Sequence, residues 1–210
     1  MMEVPGYRIV RELATSGDFL LLRATREDDG VSVTLKVPEP SQAPHCEARL
    51  RHELELTQPL HLDGVLQALA LVELPARGPV LVLEGFGEQT LAQRLARGAL
   101  EPQAACRIAL GLIRAVEAMH AAGVLHLDLR PASVLLGADG ESVKLTGFTL
   151  ATRQPRAEPP DRHDAHALGM TLHALLGGPW TPELEAKPEV AADGDDRAIR
   201  QARQYGQPDD

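Results

Sequence analysis

The sequence predicts an α+β fold with two parts, an antiparallel sheet followed by a helical half. Short apolar runs separated by turn residues fill the first part, whereas apolar residues at three- and four-residue spacing dominate after Gly85-Phe86-Gly87. The end of the chain is rich in Pro, Gly and acidic residues. We therefore divide the chain into a sheet lobe at 7–86, a helical lobe at 87–178 and an acidic tail at 179–210.

The sheet lobe is predicted to contain five strands and one helix. Asp28-Asp29-Gly30 has the composition of a hairpin turn before the third strand, and Pro75-Ala76-Arg77-Gly78 separates the last two strands. Leucines alternate with Arg, His and Glu over 44–56, which favours an exposed helix over a strand. The predicted strands are 7–10, 19–24, 31–37, 65–74 and 80–83.

Two helices are predicted in the helical lobe. Residues 101–122 have apolar side chains at helical spacing and end at Gly123, a residue that suits the left-handed position after a helix. The second helix, 164–176, ends at Gly177-Gly178, and its leucines span more than one face, as in a buried helix. The predicted inward residues are Ala105, Ile108, Ala109, Leu112, Ile113, Val116 and Met119 in the first helix, and Leu168, Leu172, Leu175 and Leu176 in the second.

Composition excludes several classes of partner. Thirty acidic and twenty-one basic residues give a net charge of −9, which argues against nucleic acid because phosphate binding needs a basic surface. No apolar run is long enough to cross a bilayer, so no membrane partner is expected. Cys46 and Cys106 cannot form a disulfide framework, and the chain begins without a charged-then-apolar leader. These features predict a cytoplasmic protein.

A motif typical of phosphoryl transfer lies at 125–136, with the sequence LHLDLRPASVLL. In sites of this kind an Asp accepts the proton of the attacking hydroxyl, and an Asn five residues later holds a metal ion on the phosphates. Asp128 keeps the first position, whereas Ser133 stands at the second. A turn at Asp139-Gly140 and a strand-like run at 142–145 follow. The motif alone would also fit a buried His and a capping Asp.

With this motif placed after five strands, a helix and a Gly-flanked hinge, the chain resembles bacterial Ser/Thr protein kinases of the eukaryotic type over residues 7–178. Its opening at 5–9 (PGYRI) and the stretch 60–65 (LHLDGV) resemble most the kinase-like domain that begins large bacterial proteins also carrying an ATPase and a sensor histidine kinase. The resemblance implies a two-lobed kinase-like fold, with a five-stranded N-lobe and a truncated helical C-lobe.

The resemblance also assigns roles to individual positions. Val33-Thr34-Leu35-Lys36 matches the family's V-A-I-K, so Lys36 would face the nucleotide phosphates and pair with a helix glutamate, Glu53 or alternatively Glu55. Leu83-Glu84-Gly85-Phe86 matches the gatekeeper and hinge, whose backbone would hold an adenine. The candidate catalytic residues are Asp128 and Lys36, and the candidate nucleotide-binding residues are Lys36, Glu53, Leu21, Thr34, Glu84, Phe86 and Leu135.

Positions that build the family's scaffold are kept. His126 and Phe148 fall where the family stacks a His and a Phe in its internal apolar spine. Asp164 matches the helix Asp that holds the backbone of the catalytic loop. The resemblance therefore implies that the scaffold is intact.

Positions that handle phosphate and metal have changed. The family's G-x-G-x-x-G loop lets backbone amides approach phosphate because Gly has no Cβ. Here Ala14, Ser16 and Phe19 hold the three Gly positions, and the ring of Phe19 would fill the space that phosphate needs. The family's D-F-G reads Gly147-Phe148-Thr149, so Gly147 and Ser133 replace both metal ligands. No Mg²⁺ site is expected, and ATP binding would at most be weak.

The sequence therefore predicts a pseudokinase, a degenerate kinase domain that acts as a binding or scaffolding module in bacterial signalling. The alternative is an enzyme: a divergent Ser/Thr kinase that uses Lys36 and Asp128 with unusual metal handling, or a small-molecule phosphotransferase with the same H-x-D loop. Helices that cover the 164–176 helix in the family do not follow here. We expect a protein partner or self-association at this surface of the C-lobe. The other cover would be the tail residues Leu184, Val190, Ile199 and Tyr205.

Overall fold

The computed structural model describes residues 3–16, 18–39, 43–74, 78–154 and 162–178. Gly17, most of the predicted turn at 75–78 and the predicted tail at 179–210 lie outside these ranges. The strands are β1 (Tyr7–Ser16), β2 (Phe19–Arg26), β3 (Ser32–Pro38), β4 (Ala68–Leu74), β5 (Gly78–Glu84), β6 (Gln89–Thr90), β7 (Val124–Leu125), β8 (Val134–Leu136), β9 (Val143–Leu145) and β10 (Thr152–Arg153). The helices are α1 (Ala43–Thr57), α2 (Leu91–Leu95), α3 (Pro102–Ala121) and α4 (Arg162–Leu175).

An antiparallel sheet in the order β1-β2-β3-β5-β4 forms the N-lobe, and the α+β prediction is confirmed. β1 is longer than predicted and reaches Ser16, because it stays paired with β2 through two irregularities in register. The last pair is Ser16 with Phe19. The two strands at the position of the family's glycine-rich loop therefore stay paired up to Ser16 and Phe19. β4 begins at Ala68 rather than at 65, since Val65 instead forms a bridge to Leu145 of β9.

α1 was predicted to be an exposed helix, and in this respect the prediction is wrong. One of its faces packs against β4, β5 and the 3₁₀ turn at Phe148–Leu150. Cys46, Leu50 and Glu53 on this face are buried. Glu47, Arg51 and Glu55 lie on the outer side of the helix, whereas Glu53, the first of the two predicted partners of Lys36, lies on the buried side.

The helical lobe is built around α3, whose inward residues form its core together with the small sheet β6-β8-β9. Ile113 was predicted to face inward but is 40% exposed, because it lies off the row that contains Ile108, Leu112 and Met119. α4 packs on α3 through Leu175, whereas Leu176 follows the end of the helix and is exposed.

Among the described residues, none of the helices has the length and apolar character needed to cross a membrane.

Candidate functional site

Asp164, near the start of α4, anchors the loop that contains Asp128. Its two carboxylate oxygens accept hydrogen bonds from the backbone amides of His126 (2.7 Å) and Leu127 (2.8 Å). The ring of His120 donates a third bond to Asp164 Oδ2 at 2.9 Å. Leu127 has φ 61°, a left-handed conformation that a branched residue rarely adopts. The buried carboxylate thus holds the loop in a backbone shape that the chain would not favour by itself.

The ionisation of Asp164 follows from these contacts. Burial by itself would raise the pKa of this carboxyl group, but the hydrogen bonds from His120 and from the amides of His126 and Leu127 hold the pKa below its ordinary value of 3.8. Asp164 is therefore a buried anion whose charge is stabilised by donors that fix the loop.

His126 connects the loop that Asp164 holds to the core of the lobe. Its Nε2 donates to the carbonyl of Thr146 at 3.0 Å, which leaves Nδ1 as the acceptor for the amide of Asp128 at 3.3 Å. The ring also lies 4.7 Å from the ring of Phe148, centroid to centroid. The predicted contact of His126 with Phe148 is present, with the two rings tilted by 51° to each other.

The rim of the loop lacks metal ligands. The hydroxyl of Ser133 donates to the carbonyl of Arg130 and accepts from the amide of Arg130, both at 2.9 Å, so it closes the local turn. Gly147 faces Ser133: a Cβ built at Gly147 would lie 3.8 Å from the Cβ of Ser133. The φ of Gly147 is 87°, which favours glycine. Asp128 is half-buried, with Oδ1 3.5 Å from Arg130 Nε.

On the N-lobe side, Lys36 of β3 and Glu53 of α1 form a buried ion pair. Lys36 Nζ donates to Glu53 Oε2 at 2.6 Å, and the two residues are 3% and 1% exposed. Glu55, the alternative partner, is exposed. The pairing of opposite charges offsets much of the cost of removing each from water.

The ring of Phe19 covers this ion pair. Lys36 Nζ lies 4.5 Å from the centroid of the Phe19 ring, and the guanidinium of Arg49 lies 5.1 Å from it. Phe19 is buried in one apolar cluster with Leu50 and Leu135. Two cations on one ring are a favourable cation–π arrangement, so the side chain is held in place where phosphates would otherwise meet Lys36.

Comparison with known proteins identifies the family to which this site belongs. Residues 16–177 match the protein kinase domain. The chain belongs to this family.

Several Ser/Thr kinases are similar to this kinase domain. The serine/threonine-protein kinase PknL of Mycobacterium tuberculosis is 26% identical over 198 residues, which cover 82% of this chain and 49% of PknL. The probable serine/threonine-protein kinase PkwA of Thermomonospora curvata is 29% identical over 65% of this chain and 19% of PkwA. The mitogen-activated protein kinase HOG1A of Wallemia ichthyophaga is 29% identical over 64% of this chain and 37% of HOG1A. The chain thus spans between about a fifth and a half of these relatives.

The donor set of this kinase domain does not fit Mg²⁺, the ion that the family uses. Mg²⁺ requires hard oxygen ligands in near-octahedral geometry, but Gly147 has no side chain and the oxygen of Ser133 already makes two hydrogen bonds. In the described ranges, no group of three or more His, Cys, Asp or Glu side chains could hold a metal ion.

A residue outside the hinge holds the hinge backbone, and sequence reasoning missed it. Arg23 of β2 is buried, and its Nη2 donates to the carbonyls of Phe86 and Gly87, the latter at 2.8 Å. Glu84 also makes bonds through its side chain, accepting from Lys144 and from the amide of Gln67. The signal for Arg23 was a charged residue within the apolar run of β2, on a strand that has both faces covered.

The remaining candidate residues lie between the lobes and are buried. Leu21 of β2 pairs in register with Lys36, and Thr34 lies two residues before Lys36 on the same strand. Within the described part of the chain, the hydroxyl of Thr34 has no hydrogen-bond partner. Leu135, which lies on β8 in the helical lobe, is also buried. Of the predicted nucleotide-binding residues, Lys36 bonds to Glu53, and Leu135 lies in one apolar cluster with Phe19 against which Phe86 packs.

Proposed function

We propose that this kinase domain is a pseudokinase of the bacterial type that acts as a binding or scaffolding module in cytoplasmic signalling. The observation that carries the proposal is the pair of facing positions Ser133 and Gly147. The first has its hydroxyl committed to the turn at Arg130, and the second has no side chain.

Phosphoryl transfer depends on positioning and on neutralising the charge of the phosphates rather than on covalent chemistry by the protein. Asp128 remains available to accept a proton. A base alone supplies only a modest part of the rate enhancement when the groups that orient and neutralise the phosphates are missing. The loss of both metal-binding positions therefore supports a domain without useful transferase activity.

The N-lobe supports weak, metal-independent nucleotide binding at most. The charge of Lys36 is already compensated by Glu53, and Phe19 covers the ammonium group. A triphosphate would have to displace a buried aromatic ring and compete with an existing ion pair. Both steps cost free energy before any new contact forms.

The intact Lys36–Glu53 pair favours one alternative, a divergent Ser/Thr kinase with residual activity. Active family members need this pair, and here it is present at 2.6 Å. In this alternative, Phe19 would move aside when ATP binds, and Asp128 would act as the base.

A binding role requires a surface for a protein partner or for a second copy, and we place it on the helical lobe. Leu110 and Ile113 lie three residues apart on α3, so they share a face of the helix. Their exposed fractions are 53% and 40%. Apolar side chains exposed next to each other are a common feature of protein interfaces.

Two measurements on the full chain test the proposal. Incubation with γ-labelled ATP and Mg²⁺ or Mn²⁺, with a generic protein acceptor, is expected to give no labelled protein. Labelling that is lost in Asp128→Asn would establish the divergent-kinase alternative. Thermal shifts with ATP and ADP, with and without Mg²⁺, should be small and insensitive to the metal. An affinity gain above about tenfold on adding Mg²⁺, roughly 1.4 kcal/mol, would mean that other groups coordinate the ion.

A further inference from the structure

An apolar groove of about 440 Å³ lies at the lower end of the helical lobe. Its lining residues come from α2 and the turn after it (Leu95, Ala96, Ala99), from the loop of Asp128 (Pro131) and from the end of α4 (Leu175, Gly178). The volume is within the range of sites that bind a bulky apolar group, and small side chains leave the groove open. Leu175 is buried at its base, so the groove continues into the core of the lobe.

The rim of this groove is basic although the chain as a whole has a net charge of −9. The guanidinium of Arg94 donates to the carbonyl of Gly98 in the groove wall at 3.0 Å. Arg97 is exposed one residue after Ala96. Residues 89–100 include both arginines and neither Asp nor Glu. An occupant with an apolar group followed by acidic groups would complement the groove.

The chain itself carries such a segment directly beside the groove. Gly178 is both a wall of the groove and the last described residue. The sequence then continues Pro179-Trp180-Thr181-Pro182-Glu183-Leu184-Glu185, which contains the single tryptophan of the chain and two glutamates. Two residues can span about 7 Å when extended, which is enough to bring the Trp180 side chain into the groove.

We propose that residues 179–185 of the same chain dock in this groove, with the Trp180 indole as the apolar anchor and Glu183 and Glu185 facing Arg94 and Arg97. A tether of two residues gives a local concentration in the millimolar range or above, so a docked tail outcompetes a free partner of equal intrinsic affinity. A buried indole removes about 150–250 Å² from water. The inference holds whether or not the domain transfers phosphate, and it leaves the α3 face of Leu110 and Ile113 free for a partner.

The single tryptophan makes a direct test of the full chain possible. In the wild-type protein, Trp180 should emit at shorter wavelength, and be quenched several-fold less by acrylamide, than in the urea-unfolded chain. Ala99→Glu places a charged side chain in the exposed wall of the groove and should return both properties to the values of the unfolded chain. Val10→Glu makes the same change at a position on β1 that is 58% exposed and lies in the other lobe, and it should alter neither property. Circular dichroism of each variant reports whether the fold is kept.

Three results would overturn the inference. The first is a wild-type Trp180 that is quenched as strongly as in the unfolded chain. The second is protection that survives in folded Ala99→Glu, which would place the indole elsewhere. The third is protection that disappears on dilution together with a fall in sedimentation coefficient, which would assign the groove to the tail of a second copy. Glu183→Gln with Glu185→Gln should weaken protection modestly and remove its dependence on salt, because the charge pairs at the rim are screened.

Discussion

Asp164 and Asp128 show how differently the two sides of one loop are held. Asp164 is fully buried, and it accepts hydrogen bonds from His120 and from the amides of His126 and Leu127. The side chain of Asp128 is 37% exposed and lies at 3.5 Å from Arg130 Nε. The contacts that shape the loop are complete and shielded from water, whereas the side chain of Asp128 is partly exposed to solvent.

This difference indicates which residues of a kinase domain are needed for folding. A buried carboxylate without its donors, or a buried amide without its acceptor, costs free energy in every folded molecule. At positions 133 and 147, by contrast, the change of residue leaves no buried polar group unpaired, because the Ser133 hydroxyl bonds to the backbone of Arg130 and Gly147 has no side chain. The scaffold around Asp164 can therefore persist while positions 133 and 147 change, and the chain still folds as a kinase domain.

The largest expected effect compares the two aspartates directly. Asp164→Ala leaves the amides of His126 and Leu127 without acceptors and should lower the free energy of unfolding by about 3–5 kcal/mol. Asp128→Ala, the matched control, should change it by about 0.5 kcal/mol or less. Urea denaturation of both variants measures this. Equal losses would mean that Asp128 also holds the fold.

The buried ion pair of the N-lobe allows a second comparison. Lys36→Met leaves the Glu53 carboxylate buried and unpaired, which should destabilise the domain by about 3 kcal/mol. Removing both charges in Lys36→Met with Glu53→Leu should recover most of this loss, because neither buried charge then remains. A double variant that loses the sum of the two single effects would show that the pair does not act as one desolvated unit.

The loss of folding stability at acidic pH should depend on Asp164. Its pKa in the folded protein is below the ordinary 3.8, so its stabilising contribution is complete above that value and is lost as pH falls through the lowered pKa. The stability gap between the wild-type protein and Asp164→Ala should therefore narrow below about pH 4. The pKa of Asp139 is also lowered, to about 2, by its hydrogen bond with Ser142 and by the nearby backbone amides. Because Asp139 is present in both proteins, its effect cancels when their stabilities are compared. A constant gap down to pH 2 would contradict the assignment.

The smallest effect is expected at an exposed ion pair. Arg107 on α3 contacts Glu141 on the surface of the same lobe as Asp164. Water and salt screen such a pair, and ordering two long side chains costs entropy. Arg107→Ala should leave Tm unchanged within error in a thermal melt, with or without added salt. A clear fall in Tm would show that surface charges matter in this lobe as much as buried ones.

The sequence by itself was sufficient for the architecture. The period-two and period-3.6 patterns identified the five strands of the N-lobe and the two long helices, because burial of one face imposes these repeats on the residues. The H-x-D motif and the V-x-x-K strand identified the family. The short helix α2 was not predicted, since five residues are too few to show a period.

Other features depend on the tertiary structure because they join residues distant in sequence. Arg23 reaches the hinge carbonyls, Phe19 covers Lys36, and His120 joins the anchor at Asp164. In each case the role of the side chain depends on neighbours that are distant in sequence and meet it only in the folded chain. The sequence determined that Ser133 and Gly147 hold the two positions where the family has metal ligands, because folding cannot change the residue type at a position. The tertiary structure decided that the Phe19 ring lies over Lys36, because close packing brings neighbouring side chains into contact.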